Sequence, residues 1–435
     1  MGENEIYVSL DIGSSKIKVI IAEMANNRLN IIGVGDVPAQ GIKKGIIIDI
    51  DKAVESIKKA ISQAERMVGV EISQVIVGVV ANQVSLLETR GIVAVNSDKP
   101  EITAEDVWNV MDAAQVVPLS AEREIISLIP DQFVVDGFDG ITDPRGMSGI
   151  RLEMEGTLVT GSKTILHNTL RCVERAGLEI TEIVLQPLAE AAISLTEDDK
   201  EFGTTLINIG AGTTTVSVFE QGKLIYTFTL PVGGDNVTKD LSLGLNTSTA
   251  NAEKVKLEHG YAFYDEASAD EVFAIDVIGS DQPQHFTQVE IADMIEARME
   301  EIFILALDGL KQAGFNQLPG GFILTGGASG IPGALELAAK TLGGHVRLAM
   351  PDYIGVRDPA YTTSVGLIQY AYNLAEFDER DLSHETEPQD DENVSQTRAV
   401  KQAKPKKSEN EKVTTKMKKL FLEHFLSKNI RYGKS

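Results

Sequence analysis

Two stretches of this chain carry residues suited to gripping a phosphate chain. Residues 9–21 read SLDIGSSKIKVII and residues 206–219 read LINIGAGTTTVSVF. Each is an apolar strand, a glycine-bearing turn and an alternating strand, which is the pattern of a β-hairpin with a glycine-rich tip. Dinucleotide and P-loop glycine fingerprints need a helix immediately after the glycines, and none follows here. The anion-binding groups would instead be backbone N–H groups of the tips: Gly13, Ser14, Ser15 and Lys16 in the first, Gly210, Ala211, Gly212 and Thr213 in the second. Glycines lack a Cβ, so an anion can come close to the backbone there. Asp11, Ile12, Gly13 and Val19 correspond to Asn208, Ile209, Gly210 and Val216, so the two hairpins share one design. Two related lobes closing on one ligand would explain the repetition.

The elements that must position these tips follow from periodicity. A third strand at 29–34 and a glycine-punctuated loop, QGIKKGIIID, lead to a helix at 51–68 with Val54, Ile57, Ala60, Ile61 and Ala64 on one face. After residue 82 the pattern changes to short strands and a helix opened by Thr103 and Asp106, a capping box. This is an α+β insertion of about eighty residues, within the size range of a subdomain. Later come a helical region at 236–261, a strand at 272–278, and a long helix capped by Thr287 and Glu290 whose apolar stripe contains Arg298. A third glycine turn, FILTGGASGIPG, places Gly326, Gly327 and Ala328 after another apolar strand.

Composition narrows the function classes. The 435 residues are 43% hydrophobic, enough for two cores, and carry a net charge of −24. That charge is split: residues 401–435 hold 11 Lys and Arg against 3 acids, net +8, leaving −32 for residues 1–400. A body so acidic argues against nucleic acid as a partner. The single Cys172 excludes a disulfide framework, and the six histidines show no metal-ligand spacing. There is neither a basic leader sequence at the N-terminus nor an apolar run of membrane-spanning length.

The three glycine turns, in this order and with the helix QPLAEAAI between the lobes, resemble the phosphate 1, phosphate 2 and adenosine motifs of the actin and Hsp70 ATPase superfamily. The resemblance implies an α/β, two-lobed actin-like ATPase fold binding ATP and Mg²⁺. Asp11 would face the metal through water, Asn208 would stand at the second metal position, and Gln186 would orient a water. Glu253 and Lys256 would reach the ribose, for which an ordinary i,i+3 surface pair is the alternative, and Gly234 would also contact the nucleotide. Asn208 brings no full charge where the superfamily has an aspartate, and Thr215 replaces another acid. Since hard cations favour carboxylates, nucleotide binding without efficient hydrolysis is expected.

The insertion narrows the resemblance further. QGIKKGIIID, ITAEDVWNVMDAAQ, IPDQFVVDG and ITDPRGMSGIRLE, in that order, are similar to the bacterial cell-division protein FtsA family, in which a subdomain called 1C is inserted into the first lobe. The implied division is 6–81 and 164–201 for the first lobe (1A), 82–163 for 1C, 202–231 and 319–356 for the second lobe (2A), 232–318 for 2B, and 357–377 for a return helix. A disordered linker, 378–415, and a membrane-targeting amphipathic helix, 416–430, would complete it. The family implies self-polymerisation, capture of the FtsZ C-terminal peptide through 2B with Arg298 facing one of its carboxylates, recruitment of later division proteins through 1C, and a place on the cytoplasmic side of the membrane at the septum. For Arg298 an internal acidic partner is the alternative.

The C-terminal segment carries its own signal. Met417, Leu420, Phe421, Leu422, Phe425 and Leu426 fill one arc of a helix among flanking lysines, a composition suited to an anionic membrane surface. Two rival readings remain. A small-molecule kinase of the same superfold would need a catalytic carboxylate near the γ-phosphate. An Hsp70-like chaperone would need a β-rich domain after the lobes, where this chain has a linker and one helix.

Overall fold

The computed structural model describes residues 5–25, 28–95, 101–316 and 318–378. Two five-stranded sheets share one topology. The first runs, edge to edge, Arg28–Pro38, Lys16–Ala25, Glu5–Ile12, Gln74–Val79, Glu179–Leu185. The second runs Lys223–Leu230, Thr214–Glu220, Thr204–Ile209, Phe322–Thr325, Val346–Leu348. In each, a three-stranded antiparallel meander is extended by two parallel strands. The repetition inferred from two hairpins therefore extends to whole sheets.

Helices cover the sheets because their apolar faces require it. Ile50–Val68 starts at an Asp49 cap that accepts the Lys52 N–H, and ends at left-handed Gly69. It buries Val54, Ile57, Ala60, Ile61 and Ala64. Gly35 is required beneath it, since a Cβ there would lie 2.1 Å from the Ala60 carbonyl oxygen. In the second lobe, Gln288–Gln312 carries the Thr287/Glu290 capping box and buries Ile291, Ile295, Met299, Ile302, Phe303 and Ala306. Leu305, placed on that stripe by sequence spacing, stands at the surface.

The insertion is a four-stranded antiparallel sheet in the order Ser85–Ala94, Arg151–Ser162, Arg123–Val135, Phe138–Ile141. Helix Ala104–Ala114 lies on one face over a core of Ile102, Val107, Val110, Phe133, Leu152 and Met154. Two of its strands run on through residues that commonly interrupt one: 85–94 through Gly91, and 123–135 through Pro130. Pro130 is accommodated at a register shift opposite Gly156. The helical region after residue 234 is two helices, Gly234–Gly244 and Thr249–His259, and the strand expected at 272–278 is Val272–Ile275, paired with Gln284–Thr287.

Two helices join the lobes. Gln186–Ser194 links them, and Thr362–Asp378 returns across that link. Gly366 makes the crossing possible, because a Cβ there would lie 2.0 Å from the Ala189 carbonyl oxygen and 2.6 Å from its carbon. Both atoms are backbone, so nothing can rotate away. Gly366→Ala is expected to destabilise the protein by about 1–3 kcal/mol, read as a lowered midpoint in urea unfolding. An unchanged midpoint would show that the crossing yields easily.

Candidate functional site

Both hairpin tips use the same turn. Gly13 N–H donates to the Lys16 carbonyl at 3.0 Å, and Gly210 N–H donates to the Thr213 carbonyl at 2.9 Å. A Cβ on Gly13 would lie 2.7 Å from that Lys16 oxygen, so the residue type is fixed by space. The tips face each other across the lobes: a Cβ on Gly212 would meet the Ser14 Oγ at 2.8 Å and the Lys44 Cα at 3.2 Å. Ser14 Oγ in turn accepts the Gly45 N–H at 2.8 Å. The loop QGIKKGIIID thus seals the meeting point, with Lys44 held at a positive φ of 50°.

Behind the second tip, Gly234 N–H and Asp235 N–H donate to the carbonyls of Gly210 and Ala211 at 2.9 and 2.8 Å. Gly234 is packed between Ala328 and the Lys256 ammonium. Lys256 is buried and donates to the Gly234 carbonyl (3.2 Å), Thr238 Oγ1 (2.8 Å) and Glu253 Oε2 (2.7 Å). Glu253 and Lys256 are therefore an i,i+3 pair, but one anchored behind the second hairpin rather than loose on the surface. The third turn joins the same cluster. Gly326 adopts φ 89°, and a Cβ there would lie 2.2 Å from Asn208 Oδ1. Gly327 and Ala328 begin the short 3₁₀ turn that follows.

Asp11 sits at the other side of the cleft, 6% exposed. Its Oδ1 accepts from Gln186 Nε2 at 3.0 Å and its Oδ2 from Ser364 Oγ at 3.1 Å. Burial raises its pKa; the Lys18 charge and the two hydrogen bonds oppose that. Gln186 opens the linking helix, so link, return helix and first hairpin converge on one carboxylate.

Two residues that sequence reasoning missed also stand here. Lys16 points outward, 53% exposed, and pairs with Asp36 at 2.7 Å. Lys18 is the inward cation: 13% exposed, 4.0 Å from Asp11 Oδ2 and bonded to the Ala360 carbonyl. The pairing of Asp11 with Lys18 across the antiparallel hairpin is the signal that could have found it. Glu190, in the linking helix, is fully buried and accepts from Asn208 Nδ2 and Thr363 Oγ1. Burial pushes its carboxyl up to about 7, against those two hydrogen bonds and helped by the Asp11 charge.

Arg298 lies apart from this cluster. Its Nε and Nη2 donate to both carboxylate oxygens of Asp240 at 2.6 and 3.1 Å, and its Nη1 donates to Glu301. Met417, Leu420, Phe421, Leu422, Phe425 and Leu426 lie outside the described residues. Cys172 is packed in the core, where burial pushes its thiol up to about 11.

With this geometry in hand, known proteins give it a family. A model of the cell division protein FtsA matches residues 205–366, and one of the SHS2 domain inserted in FtsA matches 81–160. The Cell division protein FtsA of Bacillus subtilis (strain 168) is 56% identical over 382 residues, 88% of this chain and 87% of its own. The chain belongs to the FtsA family. The FtsA of Pseudomonas aeruginosa is still 37% identical, over 84% of this chain and 89% of its own. Solved structures resemble the fold alone. The PilM–PilN type IV pilus biogenesis complex superposes with a TM-score of 0.57 at 15% identity, covering 83% of this chain and 97% of that one. MreB5 of Spiroplasma citri bound to ADP gives 0.53 at 13%, covering 86% and 98%. The chain is thus an actin/Hsp70-like α/β protein with an inserted subdomain, and membership of the FtsA family implies ATP and Mg²⁺ use.

The two lysines make a direct comparison. Lys16→Met breaks an exposed pair and is expected to change stability by about 0–1 kcal/mol. Lys18→Met leaves buried Asp11 without its cation and is expected to cost about 1–3 kcal/mol. Urea unfolding of the two variants checks this, and equal losses would count against the inward role of Lys18.

Proposed function

We propose that this protein binds ATP with Mg²⁺ between its hairpins, polymerises with copies of itself, and anchors FtsZ to the cytoplasmic face of the membrane at the division septum. The observation carrying this reading is the meeting of two matched glycine tips, at Gly212 and Ser14, in a member of the FtsA family. A small-molecule kinase is disfavoured because the relatives, matched over most of their length, are cell-division proteins.

The residues fit the implied group. Backbone at Gly13–Lys16 and Gly210–Thr213 would hold phosphates, with Lys18 as the inward cation. Gly234, Glu253, Lys256 and the turn Gly326–Ala328 would hold the nucleoside. Asp11, through water, and Asn208 would face Mg²⁺. When bound, the metal and phosphates supply the charge that holds the lobes together. Gln186 is the residue for orienting a water, yet its amide already donates to Asp11. A site arranged this way favours holding nucleotide, and its lobe angle then serves assembly ahead of hydrolysis.

Attachment would run through residues 416–430, with 378–415 serving as the tether. Among the described residues no helix is long and apolar enough to cross a membrane, which agrees with peripheral attachment. A single short amphipathic helix binds weakly, so polymerisation would add avidity. Later division proteins would dock on the insertion. The FtsZ peptide would dock on 232–318, where its carboxylate would share the Arg298 fork with Asp240 and Glu301. Arg298→Glu, which sets a third carboxylate beside those two, is expected to abolish capture of an FtsZ C-terminal peptide; a folded variant that binds normally would remove Arg298 from the interface.

Co-sedimentation with anionic vesicles tests attachment and assembly together. The full chain is expected to pellet with vesicles, and more so with ATP than without. Replacing Leu420 and Phe421 by Glu, or removing the last twenty residues, should leave it in the supernatant. Pelleting that survives both changes would refute membrane attachment by this segment.

A further inference from the structure

Glu190 occupies a position that the nucleotide reading does not require. It is 2% exposed, and no arginine or lysine pairs with it among the described ion pairs. Its Oε1 instead accepts from Asn208 Nδ2, on the second hairpin, and from Thr363 Oγ1 at 2.9 Å, on the return helix. Asn208 Nδ2 also lies 3.4 Å from Thr363 Oγ1. The opposite side of the same amide, Oδ1, is turned toward Gly326. One carboxylate therefore orients Asn208 and ties together the linking helix, the second hairpin and the return helix.

An anion accepting from the NH₂ of an amide polarises that amide and makes its oxygen a stronger donor to a cation. Carboxylates one shell out from a metal do this for its direct ligands. Magnesium, moreover, needs only one or two carboxylates beside phosphates and water. An aspartate at 208 beside Glu190 would put two carboxylates in contact, which disfavours ionisation of one. Acid at 190 and amide at 208 are thus complementary, and exchanging the two chemistries would keep both the charge and the hydrogen bond.

We propose that Glu190 is a positioning residue of the magnesium–nucleotide site, acting through Asn208 and supplying from the linking helix the negative charge that position 208 does not carry. The inference rests on the nucleotide reading above.

The test measures binding of a fluorescent ATP analogue to the full-length protein, with Mg²⁺ and with EDTA. The readout is the factor by which Mg²⁺ tightens binding, taken together with the melting temperature. Glu190→Gln keeps an acceptor for Asn208 but loses the charge, so the Mg²⁺ factor is expected to fall about tenfold with little change in melting temperature. Asn208→Asp alone should lower the melting temperature by juxtaposing two carboxylates. The double variant Glu190→Gln with Asn208→Asp restores one acid and one amide, and should regain both properties. A purely structural Glu190 would move the melting temperature and leave the Mg²⁺ factor alone, and that result overturns the proposal. So does a double variant no better than Glu190→Gln in its Mg²⁺ response. Wild-type protein that fails to bind the analogue in either condition would instead overturn the nucleotide reading, and this inference with it.

Discussion

The crossing of the linking and return helices is the constraint on which the rest of the molecule depends. Each lobe has its own sheet and its own core, so nothing inside either lobe fixes the angle between them. The linking and return helices, which join the lobes, approach backbone to backbone at Gly366 and Ala189, close enough that no side chain separates them. Interiors at this density respond as discrete packings rather than by smooth deformation. Around the crossing, polar groups that could not be left unpaired finish the seam: Ser9 Oγ donates to the Ser364 carbonyl at 2.6 Å, and Ser364 Oγ to Asp11. This seam holds the first hairpin against the return helix.

The seam also makes the cleft an electrostatic device. Asp11 and Glu190 both leave water only because donors from three elements meet them, and burial raises both carboxyls. Two acids in one neighbourhood repel, and a cation arriving between the lobes relieves that repulsion while favouring their ionised forms. On the proposed function, this arrangement would couple ligand charge to lobe closure through groups that already bridge the lobes. No long pathway is needed, since the responding residues and the hinge are the same residues.

How much of this was legible in the sequence depends on the range of the interaction. The hairpins were, because period-two alternation and tip glycines are local signals; so were the caps at Thr103 and Thr287, where one side chain serves the next turn. The strand Gln284–Thr287 was not, since QHFT is short and polar and takes its conformation from pairing with Val272–Ile275. Lys16 and Lys18 look alike in sequence and lie on one face of the same strand. The neighbours decide between them: Lys16 meets Asp36 at the rim, while Lys18 is paired with Asp11 and covered by Ala360 and Tyr361. Strand register supplies the pairing, but the covering comes from more than three hundred residues away.

Glu190 is the limiting case, and it changes what Asn208 means. Within QPLAEAAISL a glutamate reads as the solvent side of a short helix, and only the return helix laid over it makes the position interior. Read alone, Asn208 is a site that has lost a charge. Packed against Glu190, it becomes, on the proposal made above, a site whose charge would stand one residue shell outward, on the linking helix. The distinction has a mechanical consequence. An aspartate on the hairpin would bind metal within the second lobe, whereas an acid on the linking helix, acting through a hairpin amide, would engage the metal only while both lobes are in register. On that proposal nucleotide affinity and lobe angle would be one quantity, which is what assembly governed by bound nucleotide would require.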